Sequence, residues 1–153
     1  MSNDLKILFC VFLLFFSCKK DKSVVTNESS YQTPYVFNIP QGLPNFVPSL
    51  ENNPTTNEGV LLGRHLFYEN KLSSDFSKSC SSCHLQENAF SDPNQFSLGV
   101  NGQLGHRNSM SIQNLMWNRS FFWDLRASSL EKQAGDPIVN PIEMNSSWED
   151  VII

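Results

Sequence analysis

A chain of 153 residues is the length of one domain, and with only 17% of its residues charged it is not a disordered polyelectrolyte. Its formal net charge of −4, with basic residues bunched only at Lys19, Lys20 and Lys22, argues against a nucleic-acid partner. A hydrophobic content of 40% is enough for a small core.

The chain opens MSNDLKILFCVFLLFFSCKKDK. Ile7 to Phe16 is a run of ten residues without a charge, too short to span a bilayer but suited to the h-region of a secretory signal. Residues 1–17 are therefore expected to be a signal peptide. Ser17-Cys18 at the end of the run resembles the lipobox of bacterial lipoproteins, although bulky Phe16 stands where smaller residues are usual. That resemblance implies cleavage before Cys18, lipid on its sulfur and amine, a periplasmic location, and membrane contact only through the anchor. An ordinary or uncleaved signal with an incidental Cys18 is the plainer alternative. Cys10 lies inside the run and reads as a small apolar residue.

Residues 18–57 read as a tether and surface-packing segment: Ser, Thr and Asn abound, and Pro34, Pro40, Pro44, Pro48 and Pro54 break any helix. Tyr31, Tyr35, Phe37, Phe46 and Val47 suggest that its second half packs across the domain. Residues 58–153 form that domain. Thr55-x-x-Glu58 predicts a capping box ahead of a helical stripe of Val60, Leu62, Leu66 and Phe67. NKLSSDFSKS predicts a loop, Cys80 to Gln86 a short helical turn, and residues 88–108 a long loop. Ser111 to Trp117 is expected to form a short helix. Ser128-x-x-Glu131 predicts a second capping box, with Gly135 and Pro137 as stop signals. Ser146-x-x-Glu149 opens a third helix, WEDVII, which ends so soon that the chain reads as cut short. No segment alternates for long enough to suggest a strand, so the expected fold class is all-α with much loop.

Cys80, Cys83 and His84 spell C-x-x-C-H. A disulfide between the two cysteines suits an oxidising compartment. A redox dithiol would want a βαβ context, and none is visible. Zinc would want further ligands, and the only other histidines are His65 and His106. The fourth reading, favoured here, is covalent haem attachment. Residues i, i+3 and i+4 share a face of a helical turn, so two thiols reach two vinyl groups while the histidine ligates the iron. A porphyrin would also give long loops an apolar plate to pack around.

LGRHLFYENKLSSD, CSSCH, FSLGVNGQLGHRNSMSIQN, FFWDLRASSLEKQA and NPIEMN resemble, in order and spacing, the N-terminal half of bacterial di-haem cytochrome c peroxidases and their tryptophylquinone-maturing relatives. The resemblance implies a cytochrome c-like, all-α domain with long loops around one covalently attached haem c. It implies reduction of hydrogen peroxide with electrons from a small donor protein, a cytochrome or a cupredoxin. It implies His84 as proximal ligand, Glu143 as distal acid–base residue, Trp123 as the tryptophan between two haems, and Asn108 as a calcium ligand. Arg107 and Arg126 are candidate haem-propionate partners, and Asp124 is an alternative partner for Arg126.

Three departures from the family pattern matter. Val100 stands sixteen residues after His84, where many members have a histidine that plugs the iron; the iron should then be five-coordinate or water-bound. Leu125 replaces a glycine in Trp-Asp-Gly-Arg, so packing near Trp123 is expected to differ. The second C-x-x-C-H and its domain are missing, which leaves a second haem domain or a homodimer as the partner that completes the site. Plainer roles compete: Trp123 as a core aromatic, Glu143 as a surface acid, His65 and His106 as solvated side chains. Met110, Met116 and Met144 are either core fillers or a sixth ligand, and the latter would make this a mono-haem electron-transfer cytochrome. A fragment that only binds haem is the third reading.

Overall fold

In the computed structural model, residues 32–44 and 53–152 are described. Cys10, Cys18 and the expected signal segment lie outside them. Three α-helices are found among the described residues: α1 Asn57–Phe67, α2 Leu130–Val139 and α3 Trp148–Ile152. Single 3-10 turns at Asn70–Leu72, Cys80–Ser82, Gln86–Asn88, Val100–Gly102 and Leu115–Trp117 join them. Extended pairing is confined to isolated bridges such as Leu98 with Leu104 and Phe121 with Ala127. Among the described residues the domain is helical without strands, and none of its helices is long and apolar enough to cross a membrane.

Each helix begins one residue later than its expected capping box. The caps are Thr56, whose hydroxyl accepts from Gly59 N–H at 3.0 Å, Ser129, which accepts from Lys132 N–H at 3.3 Å, and Ser147, which accepts from Asp150 N–H at 3.2 Å. The reason is a doublet in all three places, Thr55-Thr56, Ser128-Ser129 and Ser146-Ser147. The second member caps, and the following Glu58, Glu131 or Glu149 falls in the first turn, where a carboxylate suits the helix dipole. Glu58 bonds outward, accepting from Thr33 N–H at 3.0 Å. Thr33, Tyr35, Thr55 and Asn57 then pair the 33–35 segment with the start of α1. Trp117 Nε1 donates to Pro44 O at 3.1 Å on the same 32–44 stretch.

Gly135 and Pro137 do not stop α2, which runs on to Val139. Proline lacks the N–H that would bond back into the helix, and its ring crowds the carbonyl four residues earlier. The carbonyls at the helix end find partners in the next segment: Met144 N–H donates to Pro137 O at 3.2 Å and Ser146 N–H to Ile138 O at 2.8 Å. Gly135 eases the contact with α3, because a Cβ there would stand a tight 3.2 Å from the Trp148 ring. The expected helix over Ser111–Trp117 shrinks to one turn, since Asn114 adopts a left-handed φ of 56°.

Leu72, Ile138 and Met144 form the core cluster, with Val151 against it. Met144 is thus a core filler. Among the described residues, the other buried apolar side chains are Val100, Phe121 and Ala127. Leu61, Leu62, Leu66, Tyr68, Leu98 and Leu104 are all exposed. So little buried apolar area is a weak driving force for a domain of this length.

Candidate functional site

The Cys80–His84 turn forms as expected. Cys83 N–H and His84 N–H both donate to Cys80 O, at 3.2 and 3.0 Å, which puts the two thiols and the imidazole on consecutive steps of one turn. Ser79 fixes its start, donating its N–H to Ser82 Oγ at 3.0 Å. Both cysteines are free and half-buried. Burial pushes both thiols up, although a hydroxyl bond from Ser97 pulls Cys83 partly back. The βαβ frame that a thioredoxin-like dithiol would want is absent among the described residues.

A turn of unusual shape orients His84. Ala89 and Phe90 both take left-handed φ, 56° and 57°, and Phe90 N–H closes on Leu85 O at 2.8 Å. Left-handed backbone at two successive non-glycine residues is strained, and the surroundings must hold it. Ser111 Oγ does part of this by donating to Ala89 O at 2.7 Å. The result is a carbonyl, Phe90 O, 3.1 Å from His84 Nδ1. A carbonyl only accepts, so Nδ1 carries the proton and Nε2 keeps its lone pair for a metal.

Glu143 lies in the segment after α2 and is half-buried. Burial pushes its carboxyl above the ordinary glutamate range; Arg126 pulls it down, Asp136 raises it, and the Asn140 amide lowers it by donating to Oε1 at 2.9 Å. Its charge also opposes ionisation of Cys83. Its backbone carbonyl accepts from Val100 N–H at 2.8 Å, and Val100 is 0% exposed. The contact is close because residue 99 is glycine: a Cβ there would collide with Ile142 O and stand 2.8 Å from Glu143 O.

Trp123 is not a core aromatic, being 60% exposed. It projects from a tight loop closed by Phe121 N–H to Ala127 O at 2.9 Å, with Phe122 and Leu125 at φ 67° and 58°. Leu125 adopts the left-handed conformation that glycine prefers and bears its cost. Trp123 Nε1 donates to Asn108 O at 2.9 Å. Arg107 and Arg126 both hold Asp124, at 2.7 and 3.0 Å, and their charge and bonds lower that carboxyl to about 2. Arg126 also stacks 3.5 Å above the Phe122 ring and approaches Asp136 at 3.5 Å. His65 and His106 are exposed, and Met110 and Met116 are half-buried.

Haem c fits these residues. Two free thiols and an imidazole with one nitrogen bare share a turn, beside a domain with much uncovered apolar surface. A 460 Å³ cleft lined by Val60, Phe67, Tyr68, Phe90 and Ile112, with Arg64 at its side, lies against the turn that orients His84. Calcium fits less well. Asn108 donates its amide to Asp92 O and Asn94 O, leaving one side-chain oxygen where calcium takes six to eight. Among the described residues no group of three or more His, Cys, Asp or Glu converges to hold a metal ion, calcium or zinc.

The fold and the site together define an all-α domain built around a Cys-x-x-Cys-His turn. The family model described as di-haem cytochrome c peroxidase matches residues 57–153, and the chain belongs to that family. It is 40% identical over 106 residues to cytochrome c peroxidase Ccp of Escherichia coli strain K12, covering 69% of this chain and 23% of that protein. It is 40% identical over 109 residues to methylamine utilization protein MauG of Methylorubrum extorquens, covering 71% of this chain and 31% of that protein. Among solved structures it is similar to a MauG-like protein associated with microbial copper homeostasis, with a TM-score of 0.64 and 37% identity over 74% of this chain and 34% of that one. The chain therefore spans less than a third of the length of either curated relative.

Proposed function

We propose that this chain is the peroxide-reducing portion of a haem peroxidase, taking electrons from a small donor protein, a cytochrome or a cupredoxin. Cys80 and Cys83 would bond the haem and His84 Nε2 would ligate its iron. When bound, that group supplies the redox metal at which hydrogen peroxide is reduced to water. Glu143 takes a proton from the attacking oxygen and returns it to the leaving one. The observation that carries this reading is the setting of Glu143: a half-buried carboxyl whose backbone carbonyl accepts from the N–H of Val100, sixteen residues after His84. Valine cannot ligate a metal, so no side chain at position 100 competes with peroxide.

Trp123 suits passage of electrons at the surface, being exposed yet fixed by its indole bond. A second haem domain or a second copy of this chain would supply the electrons for turnover. Arg107 and Arg126 are held by Asp124 and would need to exchange partners to reach a propionate.

The test is stopped-flow mixing of the haem-loaded protein with hydrogen peroxide. Glu143→Gln should react about 10²-fold or more slowly than wild type; equal rates remove Glu143 from the mechanism. Export to the periplasm and anchoring through Cys18 belong to the same reading, supported by the apolar run ending in Ser17-Cys18. Membrane association that survives Cys18→Ser would contradict the anchor.

A further inference from the structure

We propose that Asn140 is the positioning residue for the Glu143 carboxylate, a role that rests on the peroxidase reading of Glu143. Asn140 ends α2, its N–H donating to Asp136 O at 3.1 Å. Everything else it offers goes to the next five residues. Its backbone carbonyl accepts from Glu143 N–H at 3.1 Å and Asn145 N–H at 2.9 Å. Its side-chain Oδ1 accepts from Ile142 N–H at 3.0 Å. Its side-chain Nδ2 donates to Glu143 Oε1 at 2.9 Å.

Those bonds have separate jobs. The carbonyl and Oδ1 close the turn, and any residue with an acceptor at the γ position would do as much. The Nδ2 bond adds nothing to turn closure; it fixes the direction of one carboxylate oxygen. Asparagine offers an acceptor for Ile142 and a donor for Glu143 on two separate atoms of one short, planar side chain, where a serine hydroxyl would have to serve both from a single atom. The amide orientation is dictated by its partners, because the reverse would set oxygen against carboxylate and N–H against N–H. Oε1 is thereby occupied, and Oε2 makes no hydrogen bond among the described residues. Oε2 is the oxygen left to exchange a proton with substrate.

A donor on a carboxylate also favours its charged form, against the burial that opposes it. Other charges act on Glu143: Arg126 from the 121–127 loop, favouring ionisation, and Asp136 from α2, opposing it. Asn140 is the neutral member of the set and the one in contact. Removing its donor while keeping its acceptor therefore shifts the proton affinity of Glu143 without unmaking the turn.

Two measurements test this. In reduced, carbon monoxide-treated, haem-loaded protein labelled with ¹⁵N, the Asn140 side-chain amide should shift with pH as Glu143 titrates, and should lose that response in Glu143→Gln. In the peroxide reaction, the acid limb of the rate–pH profile should move up by one pH unit or more in Asn140→Asp, about tenfold in proton affinity. Asn140→Ser, which keeps an acceptor for Ile142, should move it up by less. A wild-type Asn140 amide that ignores pH overturns the assignment even if both variants fail to fold. So does an acid limb unchanged in both variants. Peroxide rates insensitive to Glu143→Gln would instead overturn the peroxidase reading, while the amide titration still reported on Asn140.

Discussion

Gly99→Ala tests how the acid–base loop is held. Gly99 has φ −83°, a conformation open to any residue, so the demand for glycine is steric. An added Cβ would collide with Ile142 O and come within 2.8 Å of both Ile142 C and Glu143 O, all of them backbone atoms that cannot rotate away. The 140–145 segment must move, and with it goes the 2.8 Å bond from Val100 N–H to Glu143 O. Losing one such bond costs about 1 kcal/mol. Overpacking adds about 1–3 kcal/mol. A total of about 2–4 kcal/mol lowers the melting temperature of a domain this size by roughly 10–30 °C. Displacing Glu143 by about an ångström should also slow the reaction with peroxide by up to ~10²-fold. Thermal melts followed by circular dichroism, with stopped-flow at a temperature where the variant is folded, read both effects. A variant that melts within two degrees of wild type and reacts at the same rate would refute the steric argument.

Leu125→Gly should stabilise the 121–127 loop by about 1 kcal/mol, because φ 58° carries a penalty for leucine that glycine escapes; a lower melting temperature would show that the Leu125 side chain makes contacts worth more. Glu143 has its folded pKa raised by burial, so its contribution to stability is present below pH 4.5 and is lost as pH rises through the folded value. Glu143→Gln should therefore melt higher than wild type at neutral pH, with the gap closing in acid, and a gap independent of pH would contradict the assignment. Asp124 is shifted the other way: its contribution is present above its ordinary 3.8 and is lost as pH falls through about 2. Its partners are solvent-exposed, so the acid sensitivity removed by Asp124→Asn should be small and should shrink further in high salt, as seen in acid unfolding curves at two ionic strengths.

What the sequence made legible follows from how local each signal is. The C-x-x-C-H turn needs only i, i+3 and i+4 geometry, and it formed where the spacing placed it. The three helices also formed, each displaced by one residue because a doublet offers two caps and the spacing to Glu does not choose between them. Pro137 misled because its cost to α2 is offset by Met144 and Ser146, whose bonds join residues that only the folded chain brings together. The support for His84 was invisible for the same reason: it depends on left-handed backbone at Ala89 and Phe90, neither of which is a residue that advertises such a conformation. Asn140 carried the fullest set of bonds around Glu143 and gave no sign beyond standing next to a proline. The exposure of Trp123 could not be read from its neighbours, since Phe121 is buried and Trp123, two residues on, is not.

The most direct measurement is peptide mapping of protein purified from a host that matures c-type cytochromes. Trypsin should release Ser79–Arg107 carrying the mass of one haem on Cys80 and Cys83, from a coloured protein whose resting iron lacks a second histidine ligand. A colourless product in which both thiols are alkylated freely, or a resting spectrum with two histidines on the iron, would contradict it.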